Sequence, residues 1–213
     1  MDRRLRCDEQ VTPRRSSPAR RFRSFRRRRP VYCAIVAPVI LHFDVDIAFP
    51  RDVVFDAYRD EMTKLVSYLP NVRGIEVKSR KDDGPRSEVV LVWQGGGDIP
   101  AALRAVLSES MLSWTDYATW DRQTFRCDWR TETHALTEAV QSSGCNSFLD
   151  DGKGKTVLQL RGRFEIDAKK IRGVPGFLAG RIGKALEEFL GGKIEANLIE
   201  TAKGMARYLE ERK

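Results

Sequence analysis

The sequence predicts an α+β protein built on a curved antiparallel sheet of about six to seven strands, with its helices on one face. Three observations support this class. Between residues 41 and 166, most segments alternate apolar and polar side chains, which is the period of half-buried strands. Two short helical segments follow the first strand. The chain then ends in one long amphipathic segment, whose apolar residues recur every three or four positions as in a helix.

The first strand is predicted at residues 41–49, where Leu41 and every second residue after it are apolar. Pro50 closes this strand, and apolar residues at helical spacing begin after Asp52. A second short helix is expected at residues 62–69, because Pro70 cannot continue it.

The remaining strands are predicted in the middle of the chain. Turn clusters at residues 81–85 and 150–154 close its first and last hairpins. Residues 99–107 fit either a short helix or the beginning of another strand. The strands begin near Ile75 and then cover residues 88–94, 114–120, 124–133, 138–149 and 156–166.

A long helix is predicted from about residue 175 to residue 210, with Pro175 near its start, where the missing donor costs little. A coiled coil is the alternative to packing on the sheet. Five glycines in the helix disfavour the coiled coil and suggest close backbone approach to the sheet: Gly180, Gly183, Gly191, Gly192 and Gly204.

The positive charge of the chain is concentrated at its beginning. Residues 1–30 contain 12 Arg and three acidic residues, whereas the remaining 183 residues carry 26 basic and 27 acidic residues. We therefore expect no specific nucleic-acid binding by the neutral body, and any affinity for polyanions would belong to the basic segment.

Residues 1–38 are interpreted as a disordered Arg-rich tail, and residues 39–213 as one domain. Three interpretations of the tail stay open: an idle or misassigned upstream extension, a targeting segment, and a functional basic arm. The apolar run at residues 31–41 is too short to span a bilayer, so no transmembrane segment is expected. The cytoplasm is the expected location, with export as the alternative if the tail is a signal.

The four cysteines, Cys7, Cys33, Cys127 and Cys145, form no Cys-x-x-Cys pair. A reducing compartment is therefore expected. Cys127 and Cys145 both lie in predicted strands, as two buried thiols or as one disulfide.

Motifs for catalysis or cofactor binding are scarce. His42 and His134 have no second ligand at metal spacing, so neither a metal nor a cofactor is expected. Gly95, Gly96 and Gly97 lack the Lys-Ser/Thr of a phosphate loop, and we interpret them as a flexible connection beside a cavity mouth.

Two carboxylates, Asp116 and Asp121, lie close to Trp114 and Trp120 in the sequence. A buried acid acting on a polyketide-like carbonyl is one interpretation. A strand-end or turn carboxylate held by a neighbouring Arg is the other. The spacing does not choose between them, and no catalytic residue is assigned.

The order of elements over residues 39–212 resembles the helix-grip fold of the START-like (SRPBCC) superfamily, which includes birch-pollen-allergen-like proteins, polyketide cyclases and lipid-transfer domains. The more specific segments are Asp98-Ile99-Pro100, residues 103–107, residues 114–121 and Val174-Pro175-Gly176. Their combination is similar to uncharacterised bacterial branches of that superfamily.

The resemblance implies a sheet wrapped around the C-terminal helix, with an apolar cavity between them. The alternative is that the same apolar side chains only fill the core. Three residues are expected to orient a ligand near the cavity mouth: Tyr68, Arg104 and Tyr117. The predicted cavity residues are Trp93, Leu107, Trp114, Trp120, Phe125, Trp129, Phe164, Leu178, Ile182, Leu186, Phe189 and Leu190.

These observations predict binding, and in one version transport, of a hydrophobic small molecule or lipid. Two alternatives stay open. The first is a polyketide cyclase/dehydratase-like or hydrolase-like enzyme that uses a buried carboxylate. The second is a protein-interaction module whose closing helix docks a partner.

Overall fold

The computed structural model describes residues 38–105, 107–171 and 177–212. They form seven strands, two α-helices and a longer 3₁₀ helix, Met62–Tyr68, together with three 3₁₀ turns, Ala101–Leu103, Glu109–Met111 and Ala168–Lys170. The strands are β1 (Val39–Ile47), β2 (Val72–Asp83), β3 (Arg86–Gly95), β4 (Ser113–Asp121), β5 (Arg126–Thr133), β6 (Val140–Asp150) and β7 (Thr156–Ile166). The α-helices are α1 (Arg51–Asp60) and α2 (Ala179–Glu211).

All seven strands belong to one antiparallel sheet with the order β1-β7-β6-β5-β4-β3-β2. Each strand from β2 to β6 pairs with the next along the chain, and β1 forms the other edge by pairing with β7. Since α1 and the longer 3₁₀ helix follow β1, the architecture confirms the predicted α+β class and element order.

The observed elements correct the sequence prediction at several places. Strand β5 begins at Arg126, because Phe125 has a left-handed φ of 51° and belongs to the preceding turn. Within the predicted segment 99–107, the structure forms a 3₁₀ turn at Ala101–Leu103 and no strand in its described part.

Helix α2 packs on the sheet and on the longer 3₁₀ helix. A Cβ at Gly204 would lie 3.1 Å from the Cβ of Tyr68, so this glycine does allow close approach, to the 3₁₀ helix and not to the sheet. A Cβ at Gly180, Gly191 or Gly192 would meet no atom within 4 Å. The prediction that these three allow close packing was therefore wrong.

Several predictions concern residues outside the described ranges, namely those for residues 1–37, Cys7 and Cys33 included, and for Val174-Pro175-Gly176. No helix in the described ranges is long and apolar enough to cross a membrane. Cys127 is a buried free thiol, which excludes the alternative of a disulfide with Cys145.

Candidate functional site

A cavity of about 240 Å³ lies between the sheet, α1 and α2. Its walls come mainly from the side chains that β3, β4, β5 and β6 direct toward α2, and from the stretch of α2 between Leu190 and Thr201. All four tryptophans of the chain contribute to the lining: Trp93, Trp114, Trp120 and Trp129. The cavity is thus strongly aromatic as well as apolar.

Seven of the residues expected to line a cavity do line it: Trp93, Leu107, Trp114, Trp120, Trp129, Phe164 and Leu190. Phe125, Leu178, Ile182, Leu186 and Phe189 are not part of the lining. Phe125 leaves the strand alternation at its turn and packs edge-on against Phe55, with the Arg51 guanidinium over its ring.

Three α2 residues are absent from the lining, although the apolar cluster that contains them also includes lining residues such as Phe164 and Leu190. Ile182, Leu186 and Phe189 belong to a second apolar cluster, with Leu103 and Ile166, beside the cavity. The first third of α2 thus contributes no lining residue, and the α2 part of the lining begins at Leu190. An apolar stripe does not distinguish these two roles, because both need the same side chains.

None of the three expected ligand-orienting residues lines the cavity. The Tyr68 hydroxyl donates to Glu211, and Arg104 Nε donates to the Ile99 carbonyl at 3.0 Å. Tyr117 lies on the opposite face of β4, because successive strand residues alternate between faces, and its hydroxyl donates to Glu132 at 3.2 Å.

Trp129 packs against two glycines of the neighbouring strands, whose missing side chains leave room for its ring. Gly144 of β6 pairs with Trp129 on one side and with Gly162 of β7 on the other. A Cβ would lie 2.6 Å from Trp129 Cζ2 at Gly144 and 2.9 Å from the same atom at Gly162. The indole Nε1 donates to Asn146 Oδ1 at 3.0 Å, which fixes the ring in this position. Neither glycine could be identified from the sequence, since their pairing depends on strand register.

Asp116 is the acidic residue of the lining. It projects from β4 on the same face as Trp114 and Trp120, and its neighbours across the strands are Leu91 and Thr131. Its Oδ1 is buried and has no hydrogen-bond partner among the described residues. Burial raises the pKa of Asp116 to about 7.

Asp121, the other carboxylate singled out in the sequence, has an ordinary structural role at the end of β4. Its oxygens accept hydrogen bonds from Arg86 Nε at 3.3 Å and from the backbone amide of Gln123 at 2.9 Å. Asp121 thus fits the interpretation of a strand-end carboxylate held by an Arg, whereas Asp116 is the buried carboxylate of the pair. The strand period places Asp116 on the tryptophan face, and this was the signal that could have identified it.

Three further polar atoms of the lining residues are buried without a partner in the described part of the protein: Tyr58 Oη, Trp93 Nε1 and Thr133 Oγ1. An unsatisfied buried donor or acceptor costs about 1–3 kcal/mol. Together with Asp116 Oδ1, these atoms give the apolar cavity a small set of groups that can orient a ligand.

The two histidines have no arrangement suited to a metal. The ring nitrogens of His134 bond Ser113 Oγ at 3.0 Å and Thr115 Oγ1 at 2.8 Å. Among the residues that the structure describes, no group of three His, Cys, Asp or Glu could hold a metal ion.

No family model and no curated protein matches the sequence. Solved structures do match the fold. The Zhui aromatase/cyclase from Streptomyces sp. R1128 aligns with a TM-score of 0.59 and 19% identity, over 83% of this chain and 96% of that one. Norcoclaurine synthase from Thalictrum flavum aligns with a TM-score of 0.55 and 13% identity, over 83% and 89%. TTHA0849 from Thermus thermophilus gives 0.53 and 17%, over 80% and 99%.

Proposed function

Because the chain has the helix-grip fold of START-like proteins, a hydrophobic-ligand-binding fold, we propose that it binds a compact hydrophobic small molecule between the sheet and α2. The observation that carries the proposal is the cavity whose lining includes every tryptophan of the chain. Burial of apolar ligand surface, about 25 cal/mol per Å², would supply the main driving force.

The size of the cavity narrows the class of ligand. Its volume of about 240 Å³ exceeds the roughly 150 Å³ that suffices for benzene, and it is below the roughly 300–1,000 Å³ of sites for drug-sized molecules. These comparisons favour a ligand of one or two rings over a lipid with two acyl chains. The norcoclaurine synthase structure was solved with dopamine and hydroxybenzaldehyde, two ligands of this size, which supports the same choice.

The test introduces a larger side chain at a position of the sheet that lines the cavity. Ala118 lines it on β4, whereas the next residue, Thr119, is exposed on the other face. We expect Ala118→Phe to abolish uptake of 1-naphthol, measured by isothermal titration calorimetry, and the matched control Thr119→Phe to leave it unchanged. Equal binding by wild type and a folded Ala118→Phe protein would place the binding site elsewhere.

A second measurement identifies a natural ligand. Native mass spectrometry of the protein purified from its own host, followed by organic extraction, should reveal a bound compound of one or two rings. Recovery of a two-chain lipid would contradict the size argument.

A second candidate function is acid–base catalysis, and Asp116 is the observation that favours it. A carboxyl group with a pKa of about 7 exchanges protons at neutral pH, and it faces the space where a ligand would lie. The test is hydrogen–deuterium exchange at the carbon next to a carbonyl, followed by NMR with phenylacetone in D₂O. An enzyme of this class accelerates the exchange, and Asp116→Asn abolishes the acceleration.

A further inference from the structure

We propose that the cavity is selective for ligands that carry a protonated amine, and that Asp116 binds the ammonium group. This inference rests on the proposed function, because it names the chemical class of ligand for the same cavity. It follows from the lack of a counterion for Asp116, from the aromatic rings beside it, and from the positions of the other charges.

Asp116 has no cationic partner among the residues that the structure describes. It lies on β4, which pairs with β3 and β5, and no salt bridge joins its carboxyl to a Lys or Arg within the described ranges. A buried carboxylate is costly unless a cation or hydrogen-bond donors accompany it. A cationic ligand would supply the missing charge.

Two tryptophans of the cavity lining lie near Asp116 on the same face of the sheet. Trp114 precedes Asp116 by two residues on the same face of β4, and Trp93 stacks on Trp114 with ring centroids 5.6 Å apart. The faces of tryptophan rings attract cations, by about 2 kcal/mol when the site is desolvated. A carboxylate beside such rings therefore favours an amine over an alcohol of the same shape.

The two cationic side chains of the lining have other partners. Arg59 pairs with Asp56 at 3.1 Å and with Asp60 at 2.8 Å. Lys193 Nζ donates to Asn71 Oδ1 at 3.0 Å. Neither side chain pairs with Asp116 in the structure, so a ligand amine would not have to displace a cation of the lining from this carboxylate.

The pH dependence of ligand binding distinguishes an ionised Asp116 that binds an ammonium group from a protonated Asp116 that binds a neutral ligand. Of the other titratable groups that face the cavity, Arg59 and Lys193 are cations, and burial raises the pKa of both Tyr58 and Cys127, which keeps them uncharged. Asp116 is then the group that titrates near neutrality. A protonated Asp116 that donates to a ligand carbonyl would bind best at low pH, whereas an ionised Asp116 that holds an ammonium group binds best at high pH.

The experiment compares 4-phenylbutylamine with its neutral analogue 4-phenylbutanol by isothermal titration calorimetry. We expect the amine to bind wild-type protein at least about tenfold more tightly at pH 8. Since the ionised fraction of a group with a pKa of about 7 rises roughly tenfold from pH 6 to pH 8, amine affinity should rise by about the same factor. Affinity for the alcohol should stay constant.

Two substitutions complete the test. Asp116→Asn should remove the preference for the amine and its pH dependence while binding of the alcohol persists. The control is Asp128→Asn on β5, whose carboxylate is exposed and pairs with Arg126, and which should behave as wild type.

Every other outcome contradicts either the amine selectivity or the proposed binding function. Equal affinities for the two compounds, or an amine preference that survives Asp116→Asn, overturn the selectivity while leaving hydrophobic binding intact. Failure of both compounds to bind the folded wild type overturns the proposed function as well. The pH series needs only wild-type protein, so it decides the question even if Asp116→Asn does not fold.

Discussion

Two regions on the same face of the sheet differ in how completely their side chains are packed and hydrogen-bonded. At the α1 end, Phe55 is fully buried and meets the rings of Trp120, Phe125 and Phe148 edge to face at 5.3, 5.4 and 5.3 Å. Four residues before Trp120 on β4, Asp116 Oδ1 is buried without a partner beside a cavity. The first region supplies stability, because Phe55 is fully buried among these rings. In the second region, a buried polar atom and the cavity beside it remain available for contacts with a ligand.

The largest effect on stability is expected at the α1 end of the sheet, around the fully buried Phe55. Phe55→Ala removes a buried ring that contacts three others, so it should lower the free energy of unfolding by about 4 kcal/mol. Urea denaturation measures this loss. Val53→Ala, at an exposed position of α1, is the control and should cost well under about 1 kcal/mol. A small loss at Phe55 would show that stability does not reside at this end.

Asp116→Asn should act in the opposite direction, and only at high pH. The pKa of Asp116 is raised from 3.8 to about 7 in the folded protein, so the folded state holds a proton that the unfolded chain has released. Stability therefore falls as pH rises from about 4 to about 7, by on the order of 3 kcal/mol. The asparagine variant should be more stable than wild type at pH 8 and equal to it near pH 3.5. Thermal unfolding at both pH values tests this, and a gain that is independent of pH would contradict it.

Gly144→Ala tests the contact beneath Trp129. The added Cβ would lie 2.2 Å from the Arg161 carbonyl oxygen and 2.6 Å from Trp129 Cζ2, so we expect a loss of about 2 kcal/mol or more. The same change at Gly162 meets its nearest atom at 2.9 Å and should cost less. Denaturant unfolding ranks the two variants, and a shift in tryptophan fluorescence should accompany the larger loss. The reverse ranking would contradict the register of β6 and β7.

The smallest effect is a gain in stability within α2. A Cβ at Gly191 meets nothing within 4 Å, so Gly191→Ala should stabilise the helix by about 1 kcal/mol. Gly204→Ala is the comparison, because its Cβ would lie 3.1 Å from Tyr68, and it should show a smaller gain or a loss. Melting temperatures measure both. Equal gains at the two positions would show that α2 does not approach the 3₁₀ helix closely.

Local sequence determined most of the fold. Strand and helix periods are properties of the backbone, so alternation alone located β7 at Thr156–Ile166 with its observed bounds. Their positions on strands left a cavity role and a core role open for the four tryptophans, and the resemblance to helix-grip proteins implied the cavity. Asp116 and Tyr117 could also have been assigned to their faces by the same period.

Tertiary structure decided what these side chains do. Register placed Gly144 and Gly162 together beside Trp129, and the position of α2 determined that Leu190 lines the cavity while Phe189 does not. The same packing left Asp116 Oδ1 buried without a partner among the described residues and paired Asp121 with Arg86. These outcomes depend on neighbours that are distant in the chain, and residue type and spacing carry no information about them.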